Sequence, residues 1–195
     1  MLYVQISGFT AWASMQSPSN VFTFLETLYQ LFDIRGKPFQ IFKVETIGDC
    51  YMAVTGLPDK DENQVLNMIR FSCVMIEIFQ SVQDMFCTDL DESVRRLNLR
   101  IGIHCGNVTA GVLRGTKSRF QLFGDTVNTA ARFEQHGLPG KIHCSQQIFE
   151  CLHSVECAHW CDERIGGINA KGKGVLKSFW IVPSMVDHSI TSIDP

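Results

Sequence analysis

Hydrophobic and polar positions follow two rhythms along this chain, one typical of helices and one typical of strands. Apolar residues recur at helical spacing after Ser17-Pro18, where serine is a good N-cap and proline suits the first helical position. A second apolar stripe at helical spacing runs through residues 71–86. Between them, residues 39–46 and 50–55 are β-rich and are separated by a short glycine-containing turn, which indicates a hairpin.

Shorter segments complete the predicted order of elements. Residues 97–103 alternate between apolar and polar positions, as in a strand, and we expect residues 108–113 to pair with them after a Gly106-Asn107 turn. A further helix is predicted with Asp125 as its N-cap and its end at Gly137. The other predicted elements are strands over residues 2–6, 120–123, 142–144 and 175–182 and a short helix from Ser145.

The order β-α-β-β-α-β predicts an α/β (α+β) domain with a ferredoxin-like βαββαβ core and appended α/β elements. We expect this domain to occupy residues 1–183 and to be followed by a polar C-terminal tail over residues 184–195. Only four residues precede Gln5, so the first strand looks clipped, and we expect the chain to be part of a longer protein.

Composition narrows the possible partners. The net charge of −3 and a pI near 6.0 argue against a nucleic-acid partner, because binding to a phosphate backbone needs a basic surface. RNA-binding modules share the predicted order of elements, but they need surface aromatics and positive charge. No apolar stretch is expected to reach bilayer-spanning length, so membrane attachment is expected only through a segment absent from this chain, with the domain itself in the cytoplasm.

The eight cysteines include no Cys-x-x-Cys pair. In a core-rich domain they are expected to be small buried hydrophobes in a reducing compartment. The histidines and cysteines between residues 143 and 161 also suggest a zinc site, although their spacings match no ordinary zinc module.

Four short motifs could carry chemistry. The glycine-led turn Gly8-Phe9-Thr10 exposes backbone N–H groups that can cradle phosphate, although an ordinary strand-to-helix turn would have the same pattern. In the hairpin, Asp49 lies at a tight turn where its carboxylate can face a ligand. Glu45 is expected on the strand leading into that turn, on the same face as Lys43.

The other two motifs lie further along the chain. Asn128 and Arg132 are four residues apart, so they share one face of the predicted helix. An amide and a guanidinium near a helix N-terminus suit a developing phosphate charge. Lys171 and Lys173 lie on a glycine-spaced loop, which is either a solvated turn or a mobile lid over a polyphosphate.

Together these segments resemble the signatures of the class III adenylyl/guanylyl cyclase catalytic domain. The resemblance implies the class III nucleotidyl cyclase fold and conversion of a nucleoside triphosphate to the 3′,5′-cyclic nucleotide and pyrophosphate. It also implies a head-to-tail homodimer or heterodimer with active sites at the interface. The matching segments, in order, are residues 6–10, 43–51, 99–106, 122–132 and 171–174.

The resemblance further implies two divalent cations, Mg²⁺ or Mn²⁺, that activate the ribose 3′-hydroxyl and steady the triphosphate. Asp49 matches the second of the two aspartates that hold these cations, and the backbone carbonyl of Ile6 matches a minor ligand. Gln5 takes the place of the first aspartate. An uncharged amide is a poor ligand for hard Mg²⁺, so one of the two sites is expected to be weakened.

Substrate contacts are implied in the same way. On the opposite subunit Asn128 orients the ribose, Arg132 stabilises charge on the α-phosphate, and Lys171 reaches the phosphates. Arg100 matches a phosphate-contacting arginine, and the turn Gly8-Phe9-Thr10 belongs to the nucleotide site.

Base choice is implied at two positions. Glu45 matches a glutamate of guanylyl cyclases, whose carboxylate can accept both N1–H and N2–H of guanine, whereas Gln121 can serve either base. GTP is therefore favoured and ATP remains possible. Retention of Asp49 favours an active enzyme. Gln5 favours the alternative, a catalytically weak or inactive subunit that completes the active site of a partner cyclase domain.

Overall fold

A computed structural model of the chain describes residues 1–89, 92–114, 118–170 and 172–186. Short 3₁₀ turns connect several of its helices and strands, one of them at Lys37–Phe39. The helices and strands, in chain order, are β1 (Leu2–Ser7), α1 (Phe9–Ala13), α2 (Pro18–Gly36), β2 (Phe42–Ile47), β3 (Cys50–Val54), α3 (Gln64–Asp89), β4 (Asn98–Ile103), β5 (Thr109–Leu113), β6 (Arg119–Phe123), α4 (Asp125–Gln135), β7 (Lys141–Ser145), α5 (Gln146–Ser154), β8 (Cys161–Glu163), β9 (Ile168–Ala170), β10 (Gly174–Leu176) and β11 (Ser178–Ile181).

The main sheet has seven strands in the order β2-β3-β1-β4-β7-β11-β8. Strand β1 lies between β3 and β4 and is antiparallel to both, whereas β4 and β7 are parallel. The first four strands and the crossover helices α2 and α3 give the ferredoxin-like arrangement, and the later elements extend the sheet beyond β4. The predicted fold class is therefore confirmed.

Helices α2 and α3 supply the main hydrophobic core. The hydroxyl of Ser17 accepts a hydrogen bond from the backbone N–H of Asn20, so Ser17 is the N-cap of α2, as predicted. Burying each large apolar side chain stabilises the fold by about 1.5–3 kcal/mol. The predicted stripe along α3 is confirmed, because all of its members are buried: Phe71, Val74, Met75, Ile78, Phe79, Val82 and Phe86.

The expectation that no segment reaches bilayer-spanning length is wrong for α3. Its segment Gln64–Thr88 has a mean hydropathy of 1.4 and passes by length and composition. Most of that segment is buried within the domain, where α3 packs against α2. Its apolar character is therefore accounted for by the core.

Helix α4 covers the opposite face of the sheet, over β4 and β1. Its Ala130 joins a second apolar cluster with Met52 and Leu122. The helix approaches β4 closely at Gly102, where an added Cβ would lie 2.1 Å from the backbone nitrogen of Glu134. Glycine is therefore required at this contact between helix and strand.

Three predicted strand assignments are wrong. Residues 108–113 do not pair with β4, because β1 and β7 occupy both of its edges; β5 instead pairs with β6 in a separate two-stranded ribbon. The final predicted strand is divided at residue 177 into β10, which pairs with β9, and β11, which pairs with β7. Strand β2 begins at Phe42 rather than residue 39, because Gln40 adopts a left-handed conformation with φ 54°.

The zinc interpretation gains no support. Within the described residues, no three His, Cys, Asp or Glu side chains are grouped so that they could hold a metal ion. All eight cysteines are free thiols; Cys73 and Cys144 are buried, and the other six are only partly buried. The ring of His143 instead hydrogen bonds to the carbonyl of Phe133, at 2.7 Å.

Candidate functional site

The hairpin between β2 and β3 turns through only two residues, Gly48 and Asp49, because Ile47 and Cys50 already form a cross-strand pair. Gly48 has φ 57°, a left-handed conformation that glycine adopts at low cost. The backbone N–H of Ile6 donates to the carbonyl of Asp49 at 3.3 Å. The fold thus brings together two of the residues that the sequence assigned to the metal site.

Gln5 lies in a row of three side chains on one face of the sheet. In the ladder it is opposite Cys50 of β3 on one side and Arg100 of β4 on the other, and directly opposed residues project to the same face. The Nη2 atom of Arg100 donates to Oε1 of Gln5 at 3.2 Å. Gln5, which the sequence analysis matched to the first metal position, is therefore engaged by a guanidinium of its own chain.

Glu134 of α4 anchors that guanidinium. Its Oε1 atom is 2.7 Å from both Nε and Nη2 of Arg100, and the residue is only 4% exposed. Sequence reasoning missed Glu134. The available signal was a carboxylate directly after Phe133 and four residues after Ala130, on the apolar face of an amphipathic helix, where it needs a buried partner.

Negative charge accumulates around Cys50. Burial, together with the carboxylates of Glu134, Asp49 and Glu45, raises the pKa of the Cys50 thiol to about 12. Burial also raises the pKa of Glu134, and Arg100 beside it acts in the opposite direction. This end of the sheet would therefore stabilise an added positive charge.

The structure corrects the predicted orientation of Glu45. The β2–β3 register shifts between Lys43, which pairs with Ala53, and Glu45, which pairs with Met52. A bulge of this kind breaks the alternation of side chains. Lys43 therefore faces α2, whereas Glu45 lies on the opposite face, with Met52. The prediction that Lys43 and Glu45 share a face is wrong.

Lys43 has a structural partner instead. Its Nζ atom donates to a carboxylate oxygen of Asp33 at 2.7 Å. The other oxygen of Asp33 accepts from the hydroxyl of Tyr51 at 2.9 Å. Lys43 thus ties β2 to α2 on the side of the sheet away from Glu45.

Gln121 lies on β6, opposite Gly111 of β5. The neighbouring Phe120 packs against Phe42 of β2, with ring centroids 5.1 Å apart. The ribbon is therefore seated against β2, the strand that carries Glu45. The two residues assigned to base recognition come from elements that touch.

Helix α4 begins differently from the prediction. Gly124 is the N-cap, with φ 137°, and Asp125 is the first helical residue. The carboxylate of Asp125 accepts hydrogen bonds from the side chains of Thr129 and Lys173 rather than capping the helix. Asn128 and Arg132 both lie on this helix, as predicted. Asn128 is exposed, and Arg132, one turn later, is partly buried.

The turn Gly8-Phe9-Thr10 leads from β1 into the short helix α1, and Gly8 has φ 84°. Lys171 lies outside the described residues. Lys173, which the sequence analysis placed with Lys171 on the glycine-spaced loop, also donates to the hydroxyl of Thr129, at 2.8 Å. Lys173 therefore fastens the glycine-spaced loop to the first turn of α4.

A family model matches this architecture. The model of the adenylate and guanylate cyclase catalytic domain matches residues 1–183. The chain belongs to this family, as the sequence motifs predicted.

Similar proteins include receptor-type guanylate cyclases. The receptor-type guanylate cyclase gcy-7 of Caenorhabditis elegans is 40% identical over 181 residues, which cover 93% of this chain and 16% of that protein. The human atrial natriuretic peptide receptor 2 is 36% identical over 181 residues, which cover 92% of this chain and 17% of the receptor. The chain therefore spans only a small part of these relatives.

Solved structures agree with the fold. The guanylate cyclase domain of RhGC from Catenaria anguillulae, in complex with GTP, is 30% identical with a TM-score of 0.79 and covers 93% of each chain. A non-canonical dimeric guanylyl cyclase domain of the RhoGC fusion protein from Blastocladiella emersonii is 29% identical with a TM-score of 0.77, over 93% of each chain. The adenylyl cyclase CyaB from P. aeruginosa, at 18% identity, has a TM-score of 0.82 over 93% of this chain and 91% of CyaB and supports the fold alone.

Proposed function

We propose that this chain is a cyclase domain that converts GTP to 3′,5′-cyclic GMP and pyrophosphate. One observation carries the proposal: the hairpin sets Asp49 beside the end of β1 and turns Glu45 to the face of the sheet that carries Gln5. One short element thus holds a metal-binding carboxylate for one active site of a dimer and a base-reading carboxylate for the other. The guanylate cyclase relatives and the GTP complex of RhGC support the same substrate class.

The reaction joins the ribose 3′-oxygen to the α-phosphorus and breaks the bond from that phosphorus to the oxygen that bridges the α- and β-phosphates. The 3′-hydroxyl loses its proton, and the β- and γ-phosphates leave together as pyrophosphate. Asn128 orients the ribose, and Arg132 stabilises the charge that develops on the α-phosphate. Lys171 and Arg100 contact the phosphates, and the turn Gly8-Phe9-Thr10 offers backbone N–H groups. Arg100 is held ready for this by Glu134.

We assign Asn128, Arg132, Lys171 and Glu45 to one subunit and Asp49 to the other, in a head-to-tail dimer. The exposed position of Asn128 leaves its amide accessible to a second molecule. The RhoGC domain, which forms a non-canonical dimer, is a precedent for self-association of such domains alone. Neither protomer completes a site alone, so the dimer is the catalytic unit.

Guanine selection rests on Glu45. Its carboxylate accepts from N1–H and N2–H of guanine, whereas N1 of adenine is an acceptor that a carboxylate repels. Gln121 can donate to or accept from either base and leaves the choice to Glu45. ATP is therefore the secondary substrate.

The residues present suit one divalent cation better than two. Asp49 provides a carboxylate and Ile6 a backbone carbonyl, which are oxygen ligands that Mg²⁺ and Mn²⁺ accept. Gln5 provides a neutral oxygen that already accepts from Arg100. When bound, the cations supply Lewis-acid activation of the attacking hydroxyl and neutralise the triphosphate. The position that relies on Gln5 is the weakened one.

The same contact between Gln5 and Arg100 favours a second candidate function. A chain with a weakened metal site could be silent as a homodimer and still lend Asn128, Arg132 and Glu45 to a partner that carries both aspartates. This candidate is a binding subunit of a heterodimeric cyclase.

The domain boundary and location follow from the same proposal. Residues 1–183 form the catalytic domain and residues 184–195 a C-terminal tail. The receptor-type relatives favour a cytoplasmic domain of a membrane-anchored protein, joined through a segment outside this chain.

The test is cyclic nucleotide production by the purified chain, with GTP or ATP and with Mg²⁺ or Mn²⁺. Formation of cyclic GMP, with Mn²⁺ more effective than Mg²⁺, is the expected result. Activity only after mixing with a cyclase domain that carries both aspartates would establish the subunit function instead. Absence of nucleotide binding and of turnover in every combination would refute both.

A further inference from the structure

We propose that Tyr29 of α2 is a positioning residue for Asp49. Its hydroxyl holds the hairpin turn in the conformation in which the Asp49 carboxylate binds a divalent cation. This inference rests on the proposed function, in which Asp49 is the principal metal ligand, and adds a residue outside the family motifs. It places a determinant of metal affinity on a helix of the opposite face of the sheet.

The contact is a hydrogen bond from the Tyr29 hydroxyl to the backbone carbonyl of Gly48, at 2.9 Å. Gly48 directly precedes Asp49, and the turn consists of these two residues alone. Nothing lies within 4 Å of a Cβ built on Gly48, so the turn projects away from the core without close packing on that side. The turn is therefore secured by hydrogen bonds rather than by packing.

Two hydrogen bonds hold the turn from two different elements. Tyr29 holds the carbonyl of Gly48 from α2, and the N–H of Ile6 holds the carbonyl of Asp49 from β1. The two consecutive peptide groups that flank the Asp49 Cα are thus both fixed. A ligand carboxylate must be held to within about 0.5 Å of its productive geometry, and this pair of contacts limits the movement of its backbone.

Tyr29 is itself suited to act as a fixed donor. Its ring is partly buried and lies 5.7 Å from the ring of Tyr51 and 6.3 Å from that of Phe32, measured between centroids. Burial, followed by the nearby Asp49 carboxylate, raises the pKa of Tyr29. The phenol stays protonated and keeps its hydrogen for the Gly48 carbonyl.

The chain provides a matched control in Tyr51, which neighbours Tyr29. The Tyr51 hydroxyl donates to Asp33 at 2.9 Å and does not reach the turn. Tyr29→Phe and Tyr51→Phe each remove one hydroxyl from the same aromatic cluster. Only the first change removes a hydrogen bond to the residue before Asp49.

The experiment measures Mn²⁺ binding to the whole chain, from the loss of the electron paramagnetic resonance signal of free Mn²⁺. Proteins compared are wild type, Tyr29→Phe, Tyr51→Phe and Asp49→Asn, with thermal unfolding recorded for each. We expect Tyr29→Phe to weaken Mn²⁺ binding by about threefold to tenfold, the effect of one lost hydrogen bond, and Tyr51→Phe by less than about twofold. Hydrogen exchange in residues 46–52 should accelerate in Tyr29→Phe alone.

The outcomes distinguish the positioning role of Tyr29 from the assignment of Asp49 as a metal ligand. Unchanged Mn²⁺ affinity in Tyr29→Phe, alongside a large loss in Asp49→Asn, overturns the positioning role and leaves the metal assignment intact. Equal weakening by both tyrosine variants also overturns it, because the effect would then be one of general stability. Unchanged affinity in Asp49→Asn overturns the metal assignment itself, and the role of Tyr29 with it.

Discussion

The Nη2 atom of Arg100 lies 3.2 Å from Oε1 of Gln5, and the same guanidinium is paired with the buried carboxylate of Glu134. With glutamine at position 5, one carboxylate and one guanidinium balance each other in this group. An aspartate at this position would add a negative charge beside Asp49 and leave Arg100 between two carboxylates. Residue 5 therefore sets the net charge of this group and the surroundings of Arg100.

Gln5→Asp should raise Mg²⁺-dependent cyclase activity by at least about tenfold, which corresponds to ~1.4 kcal/mol of transition-state stabilisation. The reason is the added carboxylate, which hard Mg²⁺ prefers to an amide. Initial rates against Mg²⁺ concentration at saturating GTP measure the effect. Gln5→Asn serves as the uncharged control. Equal rates in wild type and Gln5→Asp would mean that residue 5 does not contribute to the metal site.

Glu45→Lys together with Gln121→Asp should move substrate preference from GTP towards ATP. Each mismatched polar contact in a buried pocket costs about 1–3 kcal/mol, so the ratio of kcat/KM for the two nucleotides should change by at least about tenfold. Lys43→Met is the control, because Lys43 faces α2 and pairs with Asp33. A wild type that prefers ATP, with no change in the double variant, would contradict the assignment of Glu45.

Gly102→Ala should detach α4 from the sheet. The added methyl group would lie 2.1 Å from the backbone nitrogen of Glu134 and 2.7 Å from the carbonyl oxygen of Ala130, and backbone atoms cannot yield as a flexible side chain can. We expect a loss of at least about 2 kcal/mol in the free energy of unfolding and loss of turnover. Chemical denaturation provides the measurement. Gly111→Ala, where nothing lies within 4 Å, should behave like wild type.

Two buried histidines should make the fold sensitive to mild acid. Burial is the main cause that lowers the pKa of His104 and of His143 to about 4. Since unfolded histidine titrates near 6.5, the unfolded chain binds more protons between about pH 6.5 and pH 4. The contribution of the two histidines to the free energy of unfolding is therefore fully present above about pH 6.5, and it is lost as the pH falls towards 4.

Melting temperatures measured between pH 7.5 and pH 5 test this dependence. His143→Gln should reduce the fall in melting temperature with falling pH, because it removes one of the two titrating groups. The same change also lowers the melting temperature at neutral pH. A wild-type slope that His143→Gln does not alter would show that other groups control the acid response.

The sequence predicted the elements whose patterns are local. The apolar stripes of α2 and α3 are long, and the Ser17 cap and the Gly48-Asp49 turn depend on neighbouring residues only. The pairing of β5 was not predictable in this way. Both edges of β4 are occupied by strands distant in sequence, so β5 is excluded from the main sheet.

The candidate site shows the same division. The motifs placed Asp49, Asn128 and Arg132 on the right elements. The face occupied by Glu45 depends on a bulge that interrupts the period of two, which a pattern of alternation cannot reveal. The partner of Arg100 depends on the close approach of α4 to Gly102, a contact between segments far apart in the chain.

The Arg132→Ala and Asp49→Asn proteins should each lack turnover as homodimers. Mixing the two proteins should restore turnover. In a head-to-tail dimer, each active site takes Asp49 from one protomer and Arg132 from the other. A mixed dimer therefore keeps one site with both residues intact, whereas the site with both substitutions is dead. Binding of GTP to Arg132→Ala should remain close to wild type, because the guanidinium contact strengthens only as phosphate charge develops. The measurement is cyclic GMP production by the separate and the mixed proteins. In the control, Arg119→Ala, a change at an exposed arginine, takes the place of Arg132→Ala. If mixing restored no turnover, or a protein that sediments as a monomer cyclised GTP, then Asp49 and Arg132 would not act from opposite subunits.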